Sequence, residues 1–596
     1  MFLPRGFLTL HIPNTKHKVL SVKYLMMFHC IRSTKVILIR PKCTLLFSTK
    51  TTANNTLTRN SRRSRKNDQS KRNSSINIVS STRSINAHGR FSNNNVLQNK
   101  QQSFQIFAST LPGFEPILSK ELESKINIPK RDQTLTNGGI SFDISSLKEL
   151  YKCHLHLGTA SHLLLRAPVN VTNEKGTKRQ RKKTSFFAIH KKQLVQKVRS
   201  MDIWKELIPI NGARGARGVG VPKIDIRVTS KKSKLFHTGM IEDCVRVGIY
   251  KALGLGSKIH LTYENDTIEV VNDNGNGNGR KEEEEEPKIR ILVRIYKDEV
   301  EISIDTSLTP LHRRGYKLNV GKAPLREDIA FAFLNALEWS EMNKTTLSKP
   351  SCLVDPFCGS GTIIIEGASM ALGFPPGRLR PTPCQFTNFH DPLLWNELVE
   401  KSMNDAWNQI LYIKQQNAKG GEVSEEGINI LSEQMQQLHL PSIIGSDRND
   451  GAIQSTLMNA KRAGVDMFLQ LESCSLKANS WFKEEQNSLP SCSSSKTKHS
   501  KRILIATNPP FGLRISSSSK QKRGKNRVDI HPLLPLYQSF GIMIKELMNG
   551  HKSDIIDVGI LAHEIDLARK TGVPDLKKKF TTCHGGISIT ALGNVE

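Results

Sequence analysis

Beyond residue 351, short apolar segments alternate with segments of helical pattern, and this alternation restricts the fold more than any other feature of the chain. Strands are predicted at 352–357, 443–447, 467–471, 503–507 and 557–561, with helices such as 363–371 and 452–463 between them. Such alternation is typical of a mostly parallel sheet that carries helices on both faces. Residues 351–596 are therefore predicted to form a doubly wound α/β domain.

The preceding region has shorter strands and helices in a less regular order, which is typical of an α+β fold. Strands are predicted at 104–108, 139–143, 163–167 and 223–228, and helices at 114–125 and 146–157. The insert 272–286, rich in Asn, Gly and Glu, cannot bury a core and is expected to be a solvated loop. Polar stretches at 408–430, 488–500 and 515–527 are expected to be surface insertions. The predicted boundaries are an α+β region at 101–307, a linker at 308–350 and a catalytic domain at 351–596.

The net charge of +33 comes from 87 Lys and Arg residues against 54 Asp and Glu residues, and it is unevenly distributed. Residues 1–100 contain 19 of the basic residues and one acid, Asp68. A basic, acid-poor segment rich in Ser and Asn is typical of a disordered transit peptide, which predicts a protein of the mitochondrion or plastid. The alternative is a basic tail that contacts RNA or, through residues 62–66, directs the chain to the nucleus.

Two other classes of protein are disfavoured by the sequence. An uninterrupted apolar stretch of roughly 18 residues, which a membrane-spanning helix requires, is missing from the sequence, so no membrane partner is predicted. The ten cysteines include no C-x-x-C pair. Zinc fingers and disulfide scaffolds are therefore not expected, and no metal site is predicted.

The strongest local motif is Asp355-Pro-Phe-Cys-Gly-Ser-Gly-Thr362, which follows an apolar strand and opens a helix. Its two glycines allow a tight turn and a close approach of the backbone to a ligand, and the helix that follows presents unpaired N–H groups. A second acid, Asp447, ends the next strand, where a carboxylate can accept both hydroxyls of a ribose. The alternative is that the glycines only end a strand and that Asp447 caps the next helix.

A second motif, Thr507-Asn-Pro-Pro-Phe-Gly512, directly follows another apolar strand. Two consecutive prolines hold the backbone outside the hydrogen-bond ladder of the sheet, which leaves the Asn508 amide and the neighbouring carbonyls available. These oxygens can accept hydrogen bonds from an exocyclic amine, and Phe511 offers a face on which an extruded base can stack. The alternative is a generic turn with one packed aromatic side chain.

Together the two motifs resemble those of class I S-adenosylmethionine-dependent amino-methyltransferases. More narrowly, the chain resembles the THUMP-containing RNA guanine-N2 methyltransferases that are similar to the bacterial 23S rRNA enzyme. The resemblance covers about residues 104–596. Its supporting segments are 313–316 and 322–327 before the catalytic domain, 228–248 in the THUMP-like core and 580–590 in the closing hairpin.

The resemblance implies a ferredoxin-like and THUMP RNA-binding region followed by a Rossmann-like domain with a mostly parallel seven-stranded sheet. It also implies S-adenosylmethionine as cofactor. The implied cofactor-binding residues are Asp355, Phe357, Gly359, Gly361, Thr362 and Asp447, and the implied catalytic residues are Asn508, Pro509, Pro510 and Phe511. Many relatives have Tyr at the position of Phe511, and relatives often carry an adenine-contacting Asp near 472–475.

Basic residues in loops of the α+β region and beside the Asn508 motif are the predicted contacts to RNA. They are Lys182, Lys183, Arg214, Arg217, Lys231, Lys232, Lys234 and Arg514. Contacts from such residues to phosphates give affinity and salt dependence without sequence specificity. The alternative for any one of them is a surface residue that only aids solubility.

The sequence thus predicts a monomeric enzyme that methylates N2 of a guanosine in large-subunit rRNA. A tRNA guanine-N2 methyltransferase, an adenine-N6 methyltransferase and a non-catalytic RNA-binding assembly factor are the alternatives. Cys358, in the glycine motif, is expected to be a packed side chain and not a nucleophile.

Overall fold

The computed structural model describes residues 103–168, 183–210, 223–255, 288–319, 324–339, 351–417, 441–479, 502–511, 532–550 and 554–595. All of these residues belong to one of the two compact units into which the chain divides. The predicted transit peptide, the insert 272–286 and the predicted RNA-binding residues Lys182, Arg214, Arg217 and Arg514 lie outside them. Within these ranges no helix is long and apolar enough to cross a membrane.

The first sheet has eight strands that lie between residues 104 and 305. They are β1 (Phe104–Thr110), β2 (Thr134–Thr136), β3 (Gly139–Ile144), β4 (Ala160–Arg166), β5 (Ser185–Phe187), β6 (Lys223–Lys231), β7 (Lys288–Tyr296) and β8 (Glu299–Asp305). Their order is β2-β3-β1-β4-β8-β7-β6, and β5 also pairs with β8. Neighbouring strands are antiparallel except for the parallel pair β6–β7.

Helices pack against the first sheet because its strands alternate buried apolar and solvent-facing residues. In β7 the side chains of Ile289, Ile291, Val293 and Ile295 are buried, whereas Arg294 and Tyr296 are exposed. The helices of this region are α1 (Glu115–Glu121), α2 (Leu147–His156), α3 (Lys191–Arg199), α4 (Ile203–Leu207) and α5 (Thr238–Ala252). Helix α5 packs on β6 and α3.

The second sheet has seven strands and lies between residues 352 and 593. They are β9 (Cys352–Asp355), β10 (Ser442–Asp447), β11 (Leu469–Ser473), β12 (Arg502–Thr507), β13 (Ile555–Ala562), β14 (Lys577–His584) and β15 (Ile587–Gly593). Their order is β11-β10-β9-β12-β13-β15-β14. The first five strands are parallel, and β15 is antiparallel to both of its neighbours. The sheet is therefore mixed. Strands β14 and β15 form a hairpin, and the two glycines of its turn, Gly585 and Gly586, have φ values of 58° and 79°.

Helices cover both faces of the second sheet, as the alternation in the sequence predicts. They are α6 (Glu327–Ala336), α7 (Thr362–Ala371), α8 (Pro392–Asn417), α9 (Asp450–Ala463), α10 (Leu534–Gly550) and α11 (Ile565–Arg569). One core contains Phe333 of α6, Ile364 of α7 and Ala460 of α9. The other core contains Phe540 of α10 and Leu567 of α11. The described helices thus form two layers around the sheet.

The structure changes several boundaries that the sequence predicts. For example, β9 ends at Asp355 and not at 357, and β4 begins at Ala160 and not at 163. Strand β11 begins at Leu469 and not at 467, because a 3-10 turn, Asp466–Phe468, precedes it. The helix predicted at 114–125 consists of α1 and a turn of π-helix, Leu122–Ile126. The polar stretch predicted at 408–430 begins inside α8, which extends to Asn417. The other two polar stretches lie outside the described residues.

Two buried arginines connect the regions of the two sheets. Arg380 donates hydrogen bonds to the carbonyl oxygens of His154 and Leu311. Arg314 donates to the Gly158 carbonyl at 2.6 Å and to the Leu311 carbonyl at 2.9 Å. Burial lowers the pKa of the Arg380 guanidinium well below its usual value, and the neighbouring Arg314 adds to the effect. At the junction between the two regions, two buried guanidinium groups thus bind backbone carbonyl oxygens.

Candidate active site

The predicted site residues lie at the carboxyl ends of three neighbouring parallel strands. Strand β9 lies between β10 and β12, and Asp355 at its end is in register with Gly445 of β10. Val354 of β9 is in register with Ile505 of β12. The glycine motif, Asp447 and the Asn508 motif therefore meet at one edge of the sheet, where open α/β sheets bind their ligands.

The two positions of the first motif that are occupied by glycine require it for different structural reasons. Gly359 and Gly361 have φ values of 55° and 83°, which favour glycine. A Cβ atom on Gly361 would lie 2.5 Å from Cγ2 of Thr456 in α9, whereas one on Gly359 would meet no atom within 4 Å. Gly361 thus allows the close packing of the loop on α9. Gly359 borders open space, so its backbone is accessible to a ligand.

Asp447 holds the glycine loop and does not cap the following helix. Its Oδ2 accepts a hydrogen bond from the Gly359 amide at 3.1 Å, and its Oδ1 accepts one from the Asn449 amide at 2.9 Å. The N-cap of α9 is Asn449, whose side chain accepts from the Gly451 amide. The capping alternative for Asp447 is therefore wrong. Its half-buried carboxylate lies beside the loop that Gly359 opens to solvent.

Asp355 connects the glycine motif to the Asn508 motif. Its Oδ1 accepts hydrogen bonds from the Thr507 hydroxyl at 2.6 Å and from the Phe357 amide at 3.1 Å. Burial raises the pKa of the Asp355 carboxyl to about 7, although both hydrogen bonds act in the opposite direction. Because Thr507 immediately precedes Asn508, this buried contact fixes the ends of β9 and β12 relative to each other.

The start of α7 is held from outside the motif. The Lys317 ammonium donates to the Thr362 hydroxyl at 2.8 Å and also to the Leu325 carbonyl. Phe357 packs edge-on against Phe540 of α10, with ring centroids 5.6 Å apart. Cys358 is buried, and burial raises the pKa of its thiol well above the usual value. The structure thus confirms the prediction that Cys358 is a packed side chain.

The Asn508 motif leaves an acceptor available just outside the sheet. Oδ1 of Asn508 is buried and has no hydrogen-bond partner. Pro509 is buried, and the Tyr537 hydroxyl donates to the Pro510 carbonyl at 3.3 Å. A buried acceptor without a donor is costly unless a ligand supplies the donor. The motif is therefore suited to receive an N–H group, which the generic-turn alternative does not explain.

Phe511 lies beside a histidine that belongs to neither sequence motif. The Phe511 ring is half-buried, and its centroid is 6.3 Å from that of His563, with 43° between the ring planes. His563 follows β13, the neighbour of β12. Asn479, which is 1% exposed, donates to the Ser446 hydroxyl at 2.8 Å and is a second polar residue of this edge without a sequence signal. Long-range pairing alone brings these side chains to the site.

The predicted RNA-binding lysines within the described ranges lie away from this edge, in the region of the first sheet. Lys183 precedes β5, and the other three lie at one corner of the sheet. We define the basic corner as Lys231, Lys232, Lys234 and Lys297. Two hydrogen bonds hold it: from the Lys234 amide to Asp298 Oδ1 at 2.6 Å, and from the Lys297 amide to the Lys231 carbonyl at 3.3 Å. Three exposed aromatic residues lie close to it along the chain or in register. Phe236 follows Lys234 by two positions, Tyr296 precedes Lys297, and Phe187 is in register with Glu299; they are 63%, 43% and 64% exposed.

The residues present fit S-adenosylmethionine. The opening at Gly359, the carboxylate of Asp447 and the N-terminal N–H groups of α7 can hold a nucleoside and its amino-acid tail. The unpartnered Asn508 oxygen matches an amine substrate. Within the described residues, no cluster of three or more His, Cys, Asp or Glu side chains has a metal-binding arrangement. The fold and this site define a class I S-adenosylmethionine-dependent methyltransferase.

Comparison with known families agrees with this class. Residues 314–556 match the UPF0020 family model, described as RMKL-like, methyltransferase domain. This segment of the chain is similar to the methyltransferase domain that the family model describes.

Curated relatives carry the name ribosomal RNA large subunit methyltransferase K/L. The protein of Psychrobacter sp. (strain PRwf-1) is 28% identical over 300 residues, which are 50% of this chain and 31% of the relative. That of Syntrophotalea carbinolica is 29% identical over 281 residues, 46% of this chain and 32% of the relative. The chain thus matches about a third of the length of these relatives.

Two crystal structures show a similar fold. One is SMU.472 complexed with SAH, with a TM-score of 0.51 and 21% identity, covering 83% of this chain and 98% of the other. A possible methylase from Clostridium difficile 630 has a TM-score of 0.51 and 20% identity, with the same coverage. At these identities the comparison concerns the fold alone.

Proposed function

We propose that this protein transfers a methyl group from S-adenosylmethionine to N2 of a guanosine in large-subunit rRNA. The proposal rests mainly on the buried Oδ1 of Asn508, which has no hydrogen-bond donor. The preceding residue, Thr507, is hydrogen-bonded to Asp355, so this acceptor lies next to the cofactor motif. An exocyclic amine supplies the missing N–H. Placing that amine at the end of β12 presents it to a cofactor held at the ends of β9 and β10.

Catalysis follows from positioning. S-adenosylmethionine, when bound, supplies an electrophilic methyl group on a sulfonium. The guanine amine is a weak nucleophile because its lone pair is conjugated with the ring. Hydrogen bonds from the amine to Asn508 Oδ1 and the Pro509 carbonyl would orient the nitrogen lone pair for in-line displacement of the methyl group from sulfur. S-adenosylhomocysteine would be the leaving group, and N2 would release one proton to water. Orientation of this kind lowers a barrier by up to about 7–11 kcal/mol in favourable cases, so the site needs no strong base.

The names of the relatives and the basic corner support RNA as the substrate. The relatives that match the catalytic part are named for large-subunit rRNA methylation. The basic corner combines four lysines with three exposed aromatic rings, and such surfaces bind phosphates and stack bases of unpaired nucleic acid. Adenine N6 is the competing target, because it is also an exocyclic amine.

The proposal extends to the finer features of the chain that the sequence predicts. We propose that residues 101–307 form ferredoxin-like and THUMP modules, with domain boundaries near 308 and 351. The first, largely antiparallel sheet and its basic corner support an RNA-binding role for this region. The organellar location predicted from residues 1–100 remains a prediction.

The experiment that tests the function is mass-spectrometric mapping of methylated nucleosides with and without this protein. Organellar and cytosolic rRNA and tRNA are digested separately and compared. We expect one N2-methylguanosine in a large-subunit rRNA to disappear without the protein and to return when the wild-type chain is restored. Loss of N6-methyladenosine or of a tRNA modification would instead identify one of the alternatives, and no lost modification would refute the proposal.

Removing the three corner lysines that the sequence predicts should weaken RNA binding without affecting the cofactor site. For Lys231→Ala/Lys232→Ala/Lys234→Ala, we expect the slope of log affinity against log salt to fall by about 2 to 3, because each lost phosphate contact contributes roughly 0.7 to 0.9. Filter binding to an unmodified large-subunit rRNA transcript measures the slope. The matched control is Lys191→Ala/Lys192→Ala/Lys197→Ala on α3, which removes the same charge. Equal effects of the two variants would contradict a specific role for the corner.

A further inference from the structure

We propose that His563 is a base-contacting residue and forms the wall of the base-binding slot opposite Phe511. This inference rests on the proposed function, because it assumes that a base enters beside Asn508. It assigns a substrate contact to a residue outside both sequence motifs.

The backbone places His563 at the same edge as the amine-binding motif. Strands β12 and β13 are parallel, with Thr507 in register with Ile560. Asn508 therefore follows β12 directly, and His563 follows β13 three residues beyond Ile560. Because parallel neighbours end at one edge, a base held by Asn508 and stacked on Phe511 lies next to the strand end that carries His563.

A hydrogen bond fixes the orientation of the His563 ring. Its Nδ1 lies 2.8 Å from the Ser588 carbonyl in β15, the strand that pairs with β13. A carbonyl oxygen only accepts hydrogen bonds, so Nδ1 is the donor and the lone pair of the neutral ring is on Nε2. The ring is thereby held to the sheet while its other nitrogen remains an acceptor. Fixed rings lose little entropy when they stack on a ligand.

The spacing of the two rings is close to that of a slot for one base. A base that contacts both rings needs about 7 to 8 Å between their centroids, because each stacking contact takes roughly 3.5 to 4 Å. The observed separation is 6.3 Å, with a tilt of 43°. The two ring planes are therefore tilted, and a rotation of the Phe511 side chain that opens the gap by roughly 1 Å makes the slot parallel-sided. Phe511 is only half-buried, and its movement leaves the His563 hydrogen bond intact.

His563 contributes to the slot through the face of its ring. The lone pair on Nε2 lies in the plane of the ring, so it cannot bind the edge of a base that stacks on that ring. We therefore expect the contribution of His563 to be stacking, which a phenyl ring at this position can also supply.

Steady-state kinetics of two His563 variants test the inference. The substrate is an unmodified transcript of the large-subunit rRNA, with radiolabelled S-adenosylmethionine as methyl donor. For His563→Ala we expect kcat/KM for the RNA to fall by about 5- to 100-fold, mainly through KM, because base stacking on an aromatic ring acts before and during transfer. For His563→Phe, which keeps a stacking ring, we expect kcat/KM to stay within about threefold of the wild type.

A second histidine variant and the affinity for the cofactor product serve as controls. His390 is exposed, and its Nδ1, like that of the half-buried His563, lies close to a carbonyl oxygen, 3.1 Å from that of Pro383. His390→Ala is therefore the matched variant and should leave the kinetics unchanged. Affinity for S-adenosylhomocysteine, measured by calorimetry, should be the same for all variants and reports an intact cofactor site. If His563→Ala methylates RNA normally, or if His563→Phe is as impaired as His563→Ala, the proposal that His563 stacks on the base is wrong. The proposed function is unaffected by either result. If the wild-type chain methylates no RNA, both fail.

Discussion

Replacing Asn508 with alanine is expected to lower kcat for RNA methylation by about 10²- to 10³-fold, the usual effect of removing one preorganised polar group from an active site. The Asn508 amide oxygen is buried and unpartnered, so its role begins only when an amine arrives. Affinity for S-adenosylhomocysteine should stay within about twofold, because the cofactor-binding residues are on β9 and β10 and are unchanged. Single-turnover methylation of the rRNA transcript measures the chemical step, and calorimetry measures the affinity.

The control for this variant is Asn396→Ala, an exposed asparagine on α8. We expect it to match the wild type in both measurements. An unchanged single-turnover rate for Asn508→Ala would mean that the amide does not hold the amine. Rescue of the lost nucleoside in cells by Asn508→Ala would make the same point in vivo. A fall in rate together with an equal fall in cofactor affinity would indicate damage to the fold of the site and not to the acceptor.

Replacing Arg380 with methionine is expected to reduce the free energy of unfolding by about 3–5 kcal/mol, the range seen when one member of a buried charged cluster is removed. Arg380 is buried, and its loss leaves the His154 carbonyl without the donor that Arg380 supplies. It also removes a positive charge near the carboxylates of Glu366 and Glu121. Methionine fills a similar volume, so the cost comes from the unsatisfied polar groups and not from a cavity.

Guanidinium denaturation, monitored by tryptophan fluorescence, measures this loss. The control is Arg569→Met, whose guanidinium is exposed and forms an i,i+3 ion pair with Asp566 at 3.6 Å. Such a pair contributes about 0–1 kcal/mol, so the control should unfold at nearly the wild-type midpoint. If Arg380→Met is as stable as the wild type, the two buried arginines do not hold the regions together.

The sequence predicted the catalytic half of the fold well because its signals are local. The alternation of strands and helices depends on neighbouring residues. The glycine motif and the Asn508 motif each indicate, to within a few residues, where a strand ends. Asp355 and Asn508 could be assigned to one sheet edge because parallel strands end together. The same reasoning could not exclude helix capping for Asp447. That exclusion needed the position of Asn449, which caps α9, and ribose binding by Asp447 stays a prediction.

The parts that the sequence could not predict depend on contacts between distant residues. His563 is more than 50 positions from Phe511, and only the pairing of β12 with β13 brings their rings together. Nothing in the sequence indicates that Arg314 and Arg380 are buried, yet both are buried at the junction of the two regions. The start of β11 was misplaced by two residues because a 3-10 turn and a strand end can share the same apolar pattern.

We expect the hydrogen bond between Asp355 and Thr507 to couple cofactor binding to RNA binding. The bond joins the end of the cofactor strand to the residue that precedes the amine acceptor. A shift of β9 on cofactor binding is expected to act on Asn508 through this buried contact and through the backbone pairing of β9 with β12. Linkage is reciprocal: the factor by which bound cofactor changes the affinity for RNA equals the factor by which bound RNA changes the affinity for cofactor. An enzyme built in this way can favour the complex in which both reactants are present over either half-filled state.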